Sequence, residues 1–572
     1  MKYLPFLLLA LTSISCQTKD KPALEKAWWK ESIVYQLYPR SFKDSDGDGI
    51  GDLKGVISEL DYIQSLGVDA VWFNPIFTSP NDDNGYDVSD YRGIMKEFGT
   101  MEDFDSLLKG LHQRKIKVVM DLVVNHSSDE HEWFRQSKSS RSNPYRNYYH
   151  WWPAEKGTPP YRYSLFDVNH DAWMYDSATN AYYLHFFSRK QPDLNWENPT
   201  LRKEVYDIMK FWADKGIDGF RLDAFGFAAK DTLWPAFPKG YEKNFMPYYS
   251  MQKGLHDYLR EMNSQVLSKY DVLSVAEGAG NSLQDAHDLV DADRHELNMA
   301  YPFDWIDVPK AEGYSLVKLK EIISRFDSAF RQKGWLAMFL ANHDQARMVS
   351  RFASDAPEFR ELSSKMLNTF ILTMRGTPFV YYGDELGMSN IRFDRIEDYR
   401  DMPTLNEYHR LKKTGGDLQQ FIESLKFGCR DNGRTPMQWN DQSEAGFTAG
   451  MPWIKVHPNY TSVNVAAESR DSTSCLNYFR RLTKLRKDYP TLVYGTYTLL
   501  DKSNPDVYAY LRELDGERIL VALNFTDHKA DVKLGLTVAK AGRLAGNYAQ
   551  PIDQKFDFMR MRPYEAVVWK LE

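Results

Sequence analysis

The chain has little cysteine, no excess of positive charge and no hydrophobic run long enough to cross a membrane. Its net charge of −7, without a concentrated stripe of Lys and Arg, argues against a nucleic-acid partner. Besides Cys16 only Cys429 and Cys475 are present, and their spacing leaves two possibilities open, a disulfide or two buried thiols. Internal repeats and long low-complexity segments are also absent.

What is present is typical of a large soluble protein. The chain has 572 residues, of which 43% are hydrophobic and 26% charged, enough to build a large core and more than one domain. Aromatic residues reach 14%, with 15 Trp and 35 Tyr. Composition alone favours a large aromatic core, rather than a sugar-stacking cleft, as the explanation for this aromatic content.

The N-terminus is different in kind. Met1 and Lys2 precede an apolar stretch and then small residues that lead to Cys16, which is typical of a lipoprotein signal peptide over residues 1–16. Ser13 stands where Leu is usual, and the alternative is an ordinary cleaved signal. Residues 17–27 form a polar tether, and Gln17 gives no inner-membrane retention signal. We expect an exported lipoprotein of a Gram-negative bacterium, periplasmic or outer-membrane-anchored, that touches the membrane only through its lipid.

Apolar strand-like runs alternate with longer amphipathic stretches between residues 28 and 490. Eight such runs predict an α/β fold, a (β/α)8 TIM barrel over residues 28–126 and 199–490. The runs are 33-IVYQLYP-39, 70-AVWFNPI-76, 117-KVVMDLVVN-125, 219-GFRLDAF-225, 272-VLSVAEG-278, 299-MAYPFD-304, 336-LAMFLAN-342 and 378-PFVYYG-383. Between them, 200-TLRKEVYDIMKFWADKG-216 predicts a helix that Thr200 caps and Gly216 ends.

Three further segments depart from this alternation. Residues 127–198, after the third strand, are rich in Ser, Asn, Pro, Tyr and Trp and predict a small inserted domain. Residues 385–450 form an insertion after the last barrel strand. After residue 490 the pattern changes to short strand-like runs, which predict a C-terminal antiparallel β-sandwich over residues 491–572. The sequence does not indicate an oligomeric state.

Three carboxylates follow apolar runs, Asp223, Glu277 and Asp344. A parallel barrel presents its chemistry at the C-terminal ends of its strands, and a retaining glycosidase needs two carboxyl groups about 5–5.5 Å apart. Glu277 follows 272-VLSVA-276, an apolar setting that predicts a raised pKa and the role of acid. Arg221 precedes Asp223 on the same strand face, which predicts an ionised Asp223 that acts as nucleophile.

The ordered segments around these residues resemble the α-amylase superfamily of glycoside hydrolases (family 13), nearly end to end. The closer resemblance is to its oligo-1,6-glucosidase and α-glucosidase branch. It is carried by 79-SPNDDNGYDVSDY-91, 191-QPDLNWENP-199, 385-ELGMSN-390 and 430-RDNGRTPMQW-439.

The resemblance implies a role for each site residue. Asp223 is then the nucleophile, Glu277 the acid/base and Asp344 the transition-state stabiliser. Around the non-reducing glucose we expect Tyr86, His126, Arg221 and His343. Asp83 and Arg430 are expected to close the far end of that subsite, although Arg434 is a neighbouring candidate for the role of Arg430. Phe187 and Gln191 are expected to lie beside the cleaved bond.

An Asp/Gly-rich loop, 44-DSDGDGIGD-52, carries acidic side chains at alternate positions, as a Ca²⁺ loop does. The full EF-hand pattern is absent, and the alternative is a surface turn. The resemblance implies that Asp44, Asp46, Asp48, the Ile50 carbonyl and Asp52 hold a structural Ca²⁺. No organic cofactor is implied.

The resemblance implies a retaining, exo-acting α-glucosidase that releases glucose from short α-1,4- or α-1,6-linked oligosaccharides. Linkage preference stays open because Ala224 follows the nucleophile, where Val in this branch goes with α-1,6 preference. Ala341, Ala346 and the pair Gly278 and Ala279 also depart from the commoner residues.

Two alternatives remain. One is a glucosyl transferase or isomerase, forming trehalose or isomaltulose on the same scaffold. The other, from a different class, is a non-catalytic glycan-binding lipoprotein, against which the intact set of three carboxylates argues.

Overall fold

The computed structural model describes residues 25–310, 313–550 and 556–572 of the chain. Its largest element is a sheet of eight parallel strands that forms the predicted TIM barrel. The strands are β1 (Val34–Leu37), β2 (Ala70–Phe73), β3 (Lys117–Val123), β4 (Gly219–Asp223), β5 (Leu273–Glu277), β6 (Met299–Tyr301), β7 (Ala337–Met338) and β8 (Thr377–Tyr381). Each lies within one of the predicted runs or extends it by one residue.

Neighbouring barrel strands pair in chain order, and β8 pairs with both β1 and β7. A parallel bridge between Ala300 and Leu336 joins the β6 and β7 sides and brings the sheet close to a full circle. The strands are buried on both faces because side chains fill the barrel and helices cover it outside. All eight strands therefore direct their C-terminal ends to one rim.

Helices alternate with these strands. Those within the barrel region are Trp28–Glu31, Leu53–Ser58, Leu60–Ser65, Met101–Gln113, Pro199–Lys215, Met246–Tyr249, Leu255–Gln265, Leu283–Val290, Leu316–Ala329, Met348–Phe352 and Arg360–Thr373. Those after β8 are Met402–Thr414, Leu418–Gly428, Val465–Arg470, Cys475–Asp488 and Pro490–Tyr494. No helix in the described ranges is long and apolar enough to cross a membrane.

The helix Pro199–Lys215 corrects one prediction. Its N-cap is Asn198, whose side chain accepts the backbone N–H of Thr200, so Thr200 is not the cap. Pro199 occupies the first helical position, where its missing N–H costs nothing, and the Asn198 side chain satisfies a free donor. The helix ends as predicted at Gly216, whose φ of 105° favours glycine.

The segment after β3 carries the helix Glu132–Ser139 and a three-stranded antiparallel sheet. Its strands are Trp151–Pro153, Trp173–Asp176 and Ala181–Leu184. Before it, after β2, a small antiparallel pair joins Phe77–Thr78 to Asp90–Ile94. Both segments follow the C-terminal end of a barrel strand in the chain, so they lie beside the rim.

The C-terminal region is antiparallel, as predicted. A five-stranded sheet contains β9 (Thr496–Leu500), β10 (Val507–Leu514), β11 (Glu517–Asn524), β13 (Ala541–Gly546) and β15 (Ala566–Leu571). A two-stranded sheet contains β12 (Ala530–Lys533) and β14 (Phe558–Met561). Alternate residues of the larger sheet face opposite sides. One face joins the main core of the protein, and the other packs on the small sheet in a separate core.

Candidate active site

Polar side chains from three adjacent strands meet at the rim of the barrel. Arg221 of β4 contacts Asp121 of β3, Asp223 at the end of β4 and Glu277 at the end of β5. Because these strands are neighbours in the sheet, their C-terminal residues lie side by side. Asp344, in the loop after β7, is close enough to raise the pKa of Asp223 by charge repulsion.

Arg221 holds three carboxylates at once. Its Nη1 lies 2.7 Å from Asp121 Oδ1 and 2.5 Å from Asp223 Oδ1, and its Nη2 lies 2.5 Å from Glu277 Oε1. A guanidinium is a short rigid fork, so Asp223 and Glu277 are held on the two arms of a single group. Two carboxylates bound to one guanidinium lie close together, as the two carboxyl groups of a retaining pair must.

Burial raises the pKa of Glu277 to about 7, as its apolar strand predicted. The prediction for Asp223 was wrong in direction, because burial raises its pKa to about 7 as well, although Arg221 opposes the shift. The cost of burying a charged carboxylate outweighs one adjacent cation. Since the two carboxyls also repel each other's charge, the pair retains about one proton between them near neutral pH.

Asp344 behaves in the opposite way. Burial opposes its ionisation, yet the His343 ring, Arg430 and Arg434 together hold its pKa well below the ordinary value. Arg430 Nη1 lies 2.9 Å and Arg434 Nη2 3.2 Å from Asp344 Oδ1, and His343 Nε2 lies 3.1 Å from Asp344 Oδ2. Asp344 is therefore a fixed negative charge beside a pair that shares a proton.

The site wall is a stack of rings. The Tyr86 and His343 rings are parallel to within 7°, with centroids 5.1 Å apart. Tyr86 OH donates to Asp121 Oδ2 at 3.0 Å. His343 Nδ1 lies 2.9 Å from the Gln36 amide nitrogen, which leaves the ring proton on Nε2, facing Asp344. Burial lowers the pKa of His343 to about 4, so the ring is neutral and donates to Asp344 at physiological pH.

Four other predicted residues form a connected group next to this stack. His126 Nε2 lies 3.1 Å from the Tyr86 carbonyl oxygen and 3.2 Å from Gln191 Nε2. The Gln191 amide donates to Asp83 Oδ2 at 3.1 Å. The Phe187 ring centroid is 4.9 Å from that of His126. The structure thus brings Tyr86, His126, Gln191, Asp83 and Phe187 together.

Charged side chains close one end of this group. Arg430 Nη2 lies 3.6 Å from Asp83 Oδ1 and 2.6 Å from Asp401 Oδ1, and the guanidinium lies 5.2 Å from the centre of the Phe166 ring. Burial raises the pKa of Asp83 to about 6 in spite of Arg430. Arg430 therefore joins Asp83 and Asp401 to Asp344 across one wall.

Sequence reasoning gave Asp401 no role, offered Arg434 only as a neighbouring candidate to Arg430, and expected Asp121 at the rim of the barrel without assigning it a contact. Asp121 is fully buried and holds Arg221, Tyr86 and the Trp72 indole nitrogen. Its position in 118-VVMDLVVNH-126, a charge inside an apolar run, was the available signal. Asp401 is reached by both arginines, and its loop carries no strand pattern that would place it here.

Comparison with known proteins shows the family to which the chain belongs. Residues 36–495 match the family model described as alpha amylase, catalytic domain, and residues 497–568 match maltogenic amylase, C-terminal domain. The chain belongs to the α-amylase family of glycoside hydrolases. An oligo-1,6-glucosidase of Parageobacillus thermoglucosidasius is 47% identical over 96% of this chain and 100% of its own length.

Other family members carry different names. A trehalose-6-phosphate hydrolase of Bacillus subtilis is 43% identical over 95% of this chain and 98% of its own length. The solved structure of an isomaltulose synthase from Klebsiella sp. LX3 superposes with a TM-score of 0.92 at 42% identity. It covers 96% of this chain and 100% of its own. Relatives that share this α-amylase fold thus include hydrolases and a synthase.

The Asp/Gly-rich loop brings three of its carboxylates together. Ligand oxygens of Asp44, Asp46 and Asp48 all lie within 4.8 Å of one another. Asp52 is not in this group, because its carboxylate accepts the N–H of Ser45 at 2.7 Å and caps the helix Leu53–Ser58. The N–H of Ile50 donates to Asp48 Oδ1 at 2.8 Å. Three clustered carboxylates fit a hard cation such as Ca²⁺, with Asp52 supporting the loop.

Cys429 and Cys475 are buried and free, so of the two possibilities the structure has two thiols. Cys429 lies against the Thr404 hydroxyl, whereas Cys475 lies against the Glu361 carbonyl. Cys16, the signal peptide and residues 17–24 of the tether lie outside the described residues.

Proposed function

We propose that this chain is a retaining, exo-acting α-glucosidase. It hydrolyses terminal α-1,4- or α-1,6-linked glucose from short oligosaccharides of the maltose and isomaltose type. The observation that carries the proposal is the contact of one guanidinium, that of Arg221, with both Asp223 and Glu277 at 2.5 Å. Family membership and the oligo-1,6-glucosidase relatives support the same conclusion.

The chemistry follows from the protonation of the pair. Asp223, as the carboxylate, attacks the anomeric carbon and forms a glucosyl ester while Glu277 gives its proton to the leaving oxygen. Glu277, now ionised, takes a proton from water, which attacks the same carbon and releases Asp223. The fixed negative charge of Asp344 favours the positive charge that develops on the sugar ring in both transition states.

The closed end of the site supports exo action. Arg430 and Asp83 form a wall beyond Gln191, and their charged groups suit hydrogen bonds to the hydroxyls of a terminal glucose. A chain that continued past this glucose would have to displace Arg430 from Asp344 and Asp401. A pocket of this kind favours release of one glucose at a time.

A second candidate function is sucrose isomerisation, favoured by the superposition on isomaltulose synthase. It uses the same covalent intermediate, with fructose rather than water as acceptor. The hydrolase remains the better supported because relatives at 47% and 45% identity are named oligo-1,6-glucosidase, which is a hydrolase.

Two further properties belong to the proposal. A structural Ca²⁺ at Asp44, Asp46 and Asp48 is supported by the convergence of their oxygens. Export as a lipoprotein anchored through Cys16 is supported by the N-terminal sequence pattern alone.

The test is product analysis with purified protein of residues 17–572. Maltose, isomaltose and sucrose are incubated separately with the protein and with the Asp223→Asn variant, and all products are resolved by chromatography. Glucose from maltose or isomaltose, lost in the variant, supports the glucosidase. Isomers of sucrose in place of glucose and fructose support the isomerase, and no turnover of any of the three contradicts the proposal.

A further inference from the structure

Two buried amides, Gln36 and Asn74, connect the stacked rings of Tyr86 and His343. Gln36 is on β1, and Asn74 directly follows β2, the neighbouring strand of the barrel. Both residues are only 1% exposed. Gln36 Nε2 lies 3.0 Å from Asn74 Oδ1 and 2.9 Å from His343 Nδ1. Asn74 Nδ2 lies 2.8 Å from the Tyr86 hydroxyl, so a continuous chain of hydrogen bonds joins the two rings.

One end of this hydrogen-bond chain is the carboxylate of Asp121. Burial raises its pKa only to about 6, so the group is ionised at neutral pH. It contacts Arg221 at 2.7 Å and the Trp72 indole N–H at 3.3 Å, and a carboxylate can only accept. The Tyr86 hydroxyl, 3.0 Å from Asp121 Oδ2, must therefore donate to it. The Tyr86 oxygen is left to accept, so the Asn74 group that faces it is the NH₂.

The direction of each further bond follows from the first. Because Asn74 presents its NH₂ to the tyrosine, its carbonyl oxygen faces Gln36. Gln36 must turn its own NH₂ toward that oxygen, and the same NH₂ reaches His343 Nδ1. A ring nitrogen that accepts this N–H carries no proton, which leaves the proton of His343 on Nε2. Gln36 Oε1 has no hydrogen-bond partner within the described ranges, so this amide acts through its NH₂.

The other end of the chain requires the same direction independently. Arg430 and Arg434 hold Asp344 ionised, so His343 Nε2, 3.1 Å from Asp344 Oδ2, must donate to it. Burial lowers the pKa of His343 to about 4, so the ring is neutral at physiological pH and has a single N–H. Both carboxylates, Asp121 and Asp344, thus require the same orientation of every donor between them.

We propose that Gln36 and Asn74 are positioning residues of the glycosidase reaction, which hold the His343 ring in the tautomer that donates to Asp344. The inference rests on the proposed glucosidase function and adds two residues to its machinery. Donation from Nε2 keeps Asp344 ionised and fixed where positive charge develops on the sugar. An acceptor in place of the Gln36 amide would draw a second proton onto the ring, and the resulting cation would offset the charge of Asp344.

The first measurement is NMR of the His343 ring in protein with ¹³C-labelled histidine. The ring ¹³C shifts differ between the two neutral tautomers and the cation, and His343→Gln identifies the signal by its loss. We expect the Nε2–H tautomer in the wild type. Gln36→Glu, which replaces the donor with an acceptor of the same size, should convert the ring to the cation. Asn74→Leu, which frees the Gln36 amide to turn, should give a mixture of tautomers.

Kinetics provide the second readout. We expect kcat for maltose to fall about 30-fold in Gln36→Glu and about threefold in Asn74→Leu, because the charge of Asp344 acts mainly in the transition state. For the same reason KM should change less than about threefold in either variant. A merely structural role would lower the Tm without this separation of kcat from KM and without a change in the ring shifts.

Gln438→Glu is the matched control. The Gln438 amide is also fully buried and donates to Asn459 Oδ1 at 2.9 Å and to the Val463 carbonyl oxygen at 2.7 Å. The introduced carboxylate meets two acceptors, as it does at position 36, but it does not contact the His343 ring. It should lower the Tm and leave kcat and the His343 ring shifts unchanged.

A wild-type His343 ring with its proton on Nδ1 would overturn the inference, as would a Gln36→Glu variant whose ring shifts and kcat match those of the wild type. Wild-type shifts and kcat in Asn74→Leu would overturn the role of Asn74. If the wild type cleaves no glucoside, the proposed function fails. The ring shifts do not depend on turnover, so an Nε2–H ring that Gln36→Glu converts to the cation would still support the positioning role.

Discussion

The backbone N–H of Ala224 donates to Glu277 Oε2 at 2.7 Å. Ala224 is the residue after Asp223 and adopts a left-handed conformation, with φ 44° and ψ 22°. Through this contact the turn that follows Asp223 also holds Glu277. Ala224 also lines an apolar cavity of about 280 Å³ that Glu277 borders, so one residue both positions Glu277 and borders the space beside it.

Ala224→Val should shift linkage preference. Two added methyl groups at the mouth of the cavity narrow the space in which a 4-linked sugar must turn, while a 6-linked sugar is held away by its extra bond. We expect kcat/KM for maltose to fall about tenfold relative to isomaltose, since a pocket methyl is worth about 1–3 kcal/mol. Initial rates on both disaccharides measure the ratio. Equal losses on both would mean that backbone strain, rather than space, controls the effect.

Activity should depend on pH as a bell with its maximum near neutrality. Glu277 must keep its proton and Asp223 must lose its own, and burial raises the pKa of both to about 7. Raising the pH above about 7 removes the acid, and lowering it protonates the nucleophile, so kcat/KM falls on both sides. With α-glucosyl fluoride, whose leaving group needs no acid, kcat/KM of the Glu277→Gln variant should no longer fall at alkaline pH. An optimum near pH 4 would contradict the raised values.

Arg430→Ala should weaken substrate binding. The change removes contacts to Asp344, Asp83 and Asp401 and opens the closed end of the site. Charged hydrogen bonds contribute about 1.5–3 kcal/mol each, so we expect kcat/KM for maltose to fall about 10–100-fold, mainly through KM. Arg410→Ala, which removes a pair with Glu407 on a helix of the same insertion, is the control. Less than a twofold loss would argue against a closing role.

Removal of Ca²⁺ should lower thermal stability. Asp44, Asp46 and Asp48 place their oxygens within 4.8 Å of one another, an arrangement that repels without a cation. A cation at about 100 times its Kd stabilises the folded state by about 2.7 kcal/mol. We expect EDTA to lower the Tm and CaCl₂ to restore it, in the wild type but not in Asp46→Asn. A Tm that neither EDTA nor CaCl₂ changes would contradict a structural Ca²⁺ in this loop.

The sequence predicted the barrel because each of its strands is a dense apolar run, and buried parallel strands need such runs. In the C-terminal region it named runs at 495–499, 507–514, 518–525 and 564–571 and none for β12, β13 or β14. The residues of β13 (Ala541–Gly546), AGRLAG, have little strand preference. That strand forms through pairing with β15, a tertiary effect. Among site residues, Asp223, Glu277 and Asp344 carry a local signal as strand-end carboxylates. Asp401 carries none, since its partners, Arg430 and Arg434, lie on a later loop.

The direction of the Asp223 pKa also lay beyond the sequence. Arg221, two residues away, is visible in the sequence, but the burial that outweighs it is not. How deeply Asp223 is buried depends on the neighbouring strands. Asp121, on one of those strands, adds a negative charge that raises the pKa of Asp223 further. The residue types therefore indicate the chemistry, whereas the packing determines the pKa of each carboxyl group.

The most direct test of the account is to trap the covalent intermediate. Glu277→Gln is mixed with α-glucosyl fluoride, quenched in acid, digested and analysed by mass spectrometry. We predict that the peptide containing Asp223 gains the mass of one anhydroglucose unit, and that the same peptide gains nothing in the Asp223→Asn, Glu277→Gln double variant. Glucose attached to another residue, or fluoride release that inverts the anomeric configuration, would contradict a retaining mechanism with Asp223 as nucleophile.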